Sequence, residues 1–465
     1  MERSEDLGKE SIGKLLLRFS IPAVIGMVVN SLYIIIDRIF IGRVVGAMAI
    51  SGVSLTFPIG IIIMGFGMLI GVGGSACISI RLGQNRKDEA EKILGNSFIL
   101  LIVISILVTI VLSIFIDPIL KSFGASANTI EYARQFISII IYASVIQNLG
   151  FGLNNIIRAE GNPKKAMMTA LIGAPINILL DYIFICVLGF KIRGAAIATV
   201  ISQTITCIWV VTYFLGNNSM LKLKKENFKL EKNIVSNIIA IGMAPFAMQV
   251  ASSAVNIILN KSLAVYGGDL AIGAMGIISG ISTLVLMPIF GINQGAQPII
   301  GFNYGANKYK RVKKTLIIAC IVGTLISSAG SLVVQIAPTA LVQLFNKNDA
   351  NLTNITVHGL KIYMLMFAIV GFQIVSSNFF QAIGKAKTAM FLGLSRQVIV
   401  LIPMIIILPH TFKLDGVWMA APISDFIASI ITAVFLLIEV KRLNCKEESE
   451  NLEQASTKIS LDCAK

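Results

Sequence analysis

The chain has 465 residues, 55% of them hydrophobic and only 14% charged, with a mean hydropathy of +0.83 and a formal net charge of +15. Soluble domains are roughly 45–50% apolar and about 25% charged, so a water-soluble enzyme, a free nucleic-acid-binding domain and a disordered protein are excluded. At about 20 apolar residues per crossing of a bilayer core about 30 Å thick, there is room for a dozen spans joined by short loops.

Residues Met1 to Lys14 mix acids and bases, and the apolar run behind them is longer than a signal-peptide core and lacks a convincing cleavage site. The first span is therefore expected to stay attached. Apolar runs broken by Gly, Pro or charge clusters place spans at 15–42, 48–80, 93–117, 131–157, 166–189, 194–216, 234–264, 270–302, 312–344, 355–383, 387–410 and 415–440. Several exceed the bilayer thickness, which implies tilt or kinks. The expected fold is an all-α integral membrane protein with twelve transmembrane helices. Its units are an amino-terminal tail (1–14), a six-helix lobe (15–220), a linker (221–233), a second six-helix lobe (234–440) and a carboxy-terminal tail (441–465).

Basic residues orient the spans. The tails and even-to-odd loops carry 28 of them, the opposite loops 9, and Lys361 and Arg396 fall within spans. This is a positive-inside bias, so both termini are expected in the cytoplasm. Basic loops facing anionic lipid account for the net charge without nucleic acid.

The halves repeat at an offset of 222–223 residues. Pro22 matches Pro245; GQNRKDEAEK from Gly83 matches GANKYKRVKK from Gly305; RAEGNPKKAM from Arg158 matches QAIGKAKTAM from Gln381; FKIRGAAIATVIS from Phe190 matches FKLDGVWMAAPIS from Phe412. A six-span repeat keeps its orientation, so the lobes should be related by a pseudo-two-fold axis along the membrane normal, with a cleft between them.

Ionisable groups at bilayer depth cost about 2.5–3.5 kcal/mol on insertion scales, so the few present invite an explanation. Asp37 lies in span 1 and shares a helical face with Asn30 and Tyr33. Asp181 lies in span 5, four residues after Asn177, and Pro175 removes a backbone donor nearby. In the second half, Asp37 maps to Asn260, Asp181 to Met404, Asn177 to Val400 and Thr199 to Ala421. The acids are thus expected in the first lobe alone, as a specialised proton or cation site. Burial penalises the charged form, so two neighbouring carboxylates can share a proton or release it when a cation arrives. Sodium wants hard oxygen ligands, which Asp37, Asn177, Asp181 and Thr199 offer. A purely structural alternative pairs Asp37 with Arg38 or Arg43 at the outer interface. The second lobe has an uncharged polar stripe in span 7 (Gln249, Ser253, Asn256, Asn260), and span 8 carries Asn293, Gln294 and Gln297. Such faces suit a wet cavity wall, or interhelical hydrogen bonding worth under about 1 kcal/mol per contact. The 17 methionines are mostly flexible filler. Without CxxC pairs, and with only His358 and His410 near helix ends, neither a zinc site nor a disulfide framework is indicated.

These motifs carry a family resemblance. GINQGAQPIIGFNYGA from Gly291 to Ala306, SLYIIIDRIFIG in span 1, RAEGNPKKA and PINILLDYIFI together resemble the multidrug and toxic compound extrusion (MATE) family, over roughly residues 10–440. The DRIFIG segment and the first-lobe acids resemble its DinF/MepA-like bacterial branch. The resemblance implies an antiporter of the bacterial plasma membrane that expels drugs or toxic organic cations, driven by H+ or Na+, without a cofactor and as a monomer. It implies that Asp37, Asn177, Asp181 and Thr199 form the cation-responsive site. This chain departs from the branch at Ile34, where the branch usually has asparagine. A lipid-linked oligosaccharide flippase of the same superfamily is the alternative; it would want a more basic cleft than Lys261, Lys361 and Arg396 provide. A membrane-embedded enzyme would need a nucleophile or metal cluster, and no HExxH or GxSxG is present. A channel would not require the duplication.

Overall fold

The computed structural model describes residues 2–45, 47–122, 129–217, 219–345 and 349–463. The described chain is overwhelmingly helical, because in hydrocarbon each backbone N–H and C=O must find its partner within its own segment. A short helix, Glu2–Lys9, precedes span 1 (Ile12–Phe40), span 2 (Ala47–Gly83) and span 3 (Lys87–Ser122). Span 4 is a bent pair, Ile130–Tyr142 and Ser144–Ala159; span 5 is Pro163–Val187 and span 6 is Lys191–Leu215. The second lobe repeats this with span 7 (Lys232–Gly268), span 8 (Leu270–Gly305), span 9 (Tyr309–Ile336) and a second bent pair, span 10 (Ala350–Tyr363 and Phe367–Ala382).

The stretch Ala386–Ser449 is apolar throughout its core and 64 residues long, about 96 Å as one helix at 1.5 Å per residue, too long for a single crossing. Lys413, at φ 50° and ψ −128°, breaks it into span 11 (386–412) and span 12 (414–449). Twelve spans result among the described residues, as the hydropathy pattern indicated. Two ends differ most from that pattern. Span 9 stops at Ile336 because Pro338 opens a separate short helix, Pro338–Gln343. Span 12 runs on as helix to Cys463, through a segment rich in Lys and Glu, which are good helix formers.

The duplication extends to local geometry. Spans 4 and 10 bend at matching places, by 56° and 52°. In each, hydroxyls from the preceding span satisfy backbone groups at the bend. Thr109 Oγ1 donates to Ile141 O (3.1 Å) and lies 2.7 Å from Ser144 Oγ, while Asn148 Nδ2 donates to Ser105 Oγ (2.9 Å). In the second lobe, Ser331 Oγ donates to Met364 O (2.9 Å) and Ser327 Oγ to Ala368 O (2.7 Å). Ser105 and Ser327 are equivalent repeat positions, as are Thr109 and Ser331.

The lobes meet along a seam that runs inward from the face bearing both termini. Here glycines let backbones touch. A Cβ on Gly83 would collide with Phe302 O, and one on Gly305 would collide with Ile80 O, a reciprocal pair about the pseudo-axis. Likewise Gly242 abuts Leu69 O, and Gly291 and Gly295 abut Val24 and Ser20 of span 1. One apolar core joins both lobes on this side, from Leu69 and Ile78 to Ile238, Ile299 and Phe379. Toward the other face the core divides. One cluster (Leu263, Ile278, Leu360, Trp418) belongs wholly to the second lobe. Two others, around Ile63 and Ile137 and around Ile41 and Ile185, belong wholly to the first. The lobes are thus sealed on the terminal face and separately packed on the opposite one. Exposed Ile106, Leu107, Ile110 and Ile114 on span 3 give the flank a lipid-facing surface.

The linker is tied to the first lobe. Lys224 pairs with buried Glu91 at 2.6 Å, Asn96 Nδ2 donates to Asn227 O and Lys229 O (3.3 and 3.2 Å), and Phe228 stacks on Phe98.

Candidate functional site

Span 1 packs along span 5 with small residues in register; a Cβ on Gly26 would meet Ala170 Cβ at 3.8 Å. That contact brings Asp37 and Asp181 into electrostatic range of each other, and both act on the Tyr33 phenol. Asp181 is fully buried and Asn177 is 1% exposed. With its amide turned to satisfy both neighbours, Asn177 Nδ2 donates to Asp181 Oδ2 (3.1 Å) and Asn177 Oδ1 accepts from Thr199 N (3.3 Å). In the other amide orientation Asn177 Nδ2 reaches Thr199 Oγ1 at 3.5 Å. Thus Asn177, Asp181 and Thr199 meet between spans 5 and 6, with Asp37 of span 1 in electrostatic range of Asp181.

Asp181 Oδ1 makes no hydrogen bond within the protein, and among the described residues Asp181 has no ion-pair partner. Both acids stand at places where the helix widens. Asp181 immediately precedes the π-helical turn Tyr182–Val187, and Asp37 precedes the π-helical Ile41–Val45 by one turn. Such turns interrupt regular i→i−4 bonding and are frequent at functional sites. The suggested partners of Asp37, the Arg38 and Arg43 side chains, lie outside the described residues, as does the Ile34 side chain.

The polar stripe of span 7 grades from buried to exposed along the helix. Gln249 is partly buried and Ser253 buried, while Asn256 and Asn260 are exposed, Asn256 Nδ2 donating to Ser252 O in its own helix (2.9 Å). Asn293 is 4% exposed and its Nδ2 makes no hydrogen bond within the protein. Gln297 Nε2 donates across the seam to Ser75 Oγ (3.3 Å), so it and neighbouring Gln294 belong to the lobe contact. In span 1, Asn30 is exposed and Tyr33 partly buried.

One charged group contradicts the expected asymmetry. Asp425 of span 12 is 2% exposed and accepts from Arg396 Nε of span 11 at 2.6 Å, and Ser424 Oγ donates to Arg396 O (2.7 Å). Tyr363 of span 10 lies in the same electrostatic neighbourhood. The second lobe therefore also holds a buried carboxylate, at a position with no acid counterpart in the repeat. The lobes differ in what faces the buried acid: Asp181 has the Asp37 carboxyl in its electrostatic neighbourhood, whereas Asp425 is held by Arg396. The signal was readable, since Arg396 stood within a span and needed a counter-charge.

His358 pairs with Asp415 (2.9 Å) and His410 lies 3.5 Å from Tyr266, both near span ends. No cluster of three or more metal-ligating side chains occurs among the described residues.

The MatE family model matches residues 22–183 and again 245–407, restating the internal repeat. The chain is 29% identical over 433 residues to the multidrug export protein MepA of Staphylococcus haemolyticus (strain JCSC1435), covering 93% of this chain and 95% of that protein. It superposes on the solved structure of the MATE multidrug transporter DinF-BH with a TM-score of 0.88 and 39% identity, covering 94% and 97% of the two chains. An outward-facing conformation of a multidrug resistance MATE family transporter of the MOP superfamily gives a TM-score of 0.89 at 25% identity, covering 96% and 99%.

Proposed function

Because this chain belongs to the MatE family, a family of transporters rather than enzymes, we propose that it exports organic, often cationic compounds in exchange for protons or sodium ions, working by alternating access as a monomer in a bacterial plasma membrane with both termini in the cytoplasm. The observation that carries this reading is Asp181: a carboxylate with no exposed surface, one oxygen free of protein hydrogen bonds, and the Asp37 charge close by. Two carboxylates in a low-dielectric pocket repel unless a cation joins them. Either a proton or Na+ would answer that need, with Asn177 and Thr199 supplying further oxygen ligands.

The basic loops orient the terminal face toward the cytoplasm, so the sealed seam closes the inner side and the cleft faces outward. In that state an external ion reaches Asp37 and Asp181, and its preference for one conformation shifts the population. The ion does work only through that preference. An inside-negative potential adds about 2.3 kcal/mol per charge per 100 mV. The flippase reading is weakened by Arg396, because Asp425 already neutralises one of its few cleft cations.

Purified protein in liposomes, loaded with a fluorescent lipophilic cation and given an imposed H+ or Na+ gradient, tests this. Gradient-driven movement of the cation supports the reading. Movement of lipid-linked sugar but no drug would replace it with the flippase.

A further inference from the structure

A small polar cavity lies within the seam, lined by Ser75 and Ser79 of span 2, Asn155 and Arg158 of span 4, and Gln294 and Gln297 of span 8. It leaves about 10 Å³ for the centre of a water-sized sphere, room for one water or one monatomic ion. Its lining is rich in donors. Arg158 gives one N–H to Asn155 Oδ1 (3.0 Å) and another to Asn154 Oδ1 (2.9 Å, in the amide orientation that satisfies both residues). Ser79 is 1% exposed, and its hydroxyl has no partner in the protein.

Among the described residues no acid pairs with Arg158. The nearest in sequence, Glu160, is engaged elsewhere, accepting from the Tyr213 hydroxyl and from Ser219 Oγ at 2.7 Å. The end of span 4 offers a partial negative charge from its backbone, which offsets at most about half a unit charge. A guanidinium, an unpartnered hydroxyl and two carboxamides thus converge on a one-ion cavity without a counter-charge.

We propose that this cavity binds a single small monovalent anion, chloride being the natural occupant, held jointly by the two lobes. Arg158 and Ser79 come from one lobe and Gln294 and Gln297 from the other. The site is complete only while the terminal-side seam is shut, so the anion stabilises that state by mass action. The repeat makes the site single rather than paired. Arg158 is matched by Gln381 and Ser79 by Gly301, so the charge and the hydroxyl occur on one side of the pseudo-axis only.

Crystals of the full chain soaked in bromide test this directly. An anomalous peak within hydrogen-bonding reach of Arg158 and Ser79 is expected; its absence overturns the proposal. In parallel, exchanging gluconate for chloride at fixed ionic strength should raise the thermal midpoint of the wild-type protein by about 2–4 °C. That shift should vanish in Arg158→Gln and shrink in Ser79→Ala. Retention of the full shift in Ser79→Ala, together with retention in Arg158→Gln or failure of that variant to fold, overturns the proposal as well. Stabilisation by the helix end alone would not respond to chloride.

Discussion

Asp181 and the Arg396–Asp425 pair are buried charges with opposite consequences. Replacing Asp181 by Asn removes a charge that has no ion-pair partner among the described residues, so no counter-ion is stranded. Asp181→Asn should therefore keep or raise the thermal midpoint while lowering gradient-driven efflux at least about tenfold, since about 1.4 kcal/mol of lost ion preference already gives that factor. Asp425→Asn should do the reverse. It leaves Arg396 without its partner, a loss of about 3–5 kcal/mol, seen as a fall in midpoint and yield. The double change Arg396→Met with Asp425→Leu should recover most of that loss. An Asp425→Asn protein as stable as wild type would mean that Arg396 finds another partner. Asp181 was legible because a carboxylate in an uninterrupted apolar run is conspicuous, and Asp37 because only it and Arg38 break the apolar run 34–40 of span 1. Asp425 was legible only indirectly, through Arg396, a cation inside the preceding span that needs a counter-charge.

The helical elements owe their shape to contacts that hydropathy does not record. The bends of spans 4 and 10 have neither proline nor glycine at the break, around Ala143 and Met364 to Met366. Their cause lies on another span, in the hydroxyls of Thr109 and Ser331. Only the recurrence of hydroxyls at equivalent repeat positions could have revealed it. Thr109→Val and Ser331→Ala should each cost about 1 kcal/mol, measurable as lower midpoints, with the two effects adding because the sites are in different lobes. Seam glycines set a different limit. A side chain at Gly242 would collide with Leu69 O, so Gly242→Val should prevent the terminal-side seam from closing. Cysteine labels placed there should then react with a membrane-impermeant thiol reagent added from the terminal side; unchanged protection would place the closing contact elsewhere. The amino-terminal helix is strapped down as well. Arg311 donates to Leu7 O and Glu10 O, while Lys14 and Arg18 pair with Glu10. The hydrogen bond from Lys14, ahead of the smaller effects of Arg18, holds the Glu10 carboxyl below its ordinary 4.5. A depressed carboxyl contributes stability that is present above the ordinary value and lost as pH falls through the lowered one. A spin label on Glu2–Lys9 should keep constant mobility above about pH 5 and loosen below the ordinary carboxylate range.

At the scale of the whole molecule, two six-span lobes and their parallel orientation followed from four motif pairs and the distribution of basic residues. Which face is shut did not. That depends on whether Gly83, Gly242 and Gly305 are in contact with the other lobe, and the same glycines would be present in a chain open on the other side. Nor could the sequence show that Gln294 and Gln297 belong to the seam rather than to the cleft wall, since a polar stripe reads alike in both settings. The proposed transport rests on the Asp37–Asp181 cluster of the first lobe, where ion binding would be coupled to lobe position. Its most direct test is efflux of a fluorescent lipophilic cation from proteoliposomes, with pH and sodium gradients imposed separately on wild type, Asp37→Asn and Asp181→Asn. If these carboxylates couple ion entry to export, at least one gradient drives the wild type and each variant loses that response while still folding. Undiminished gradient-driven transport in well-folded Asp181→Asn, under both ions, would contradict that coupling.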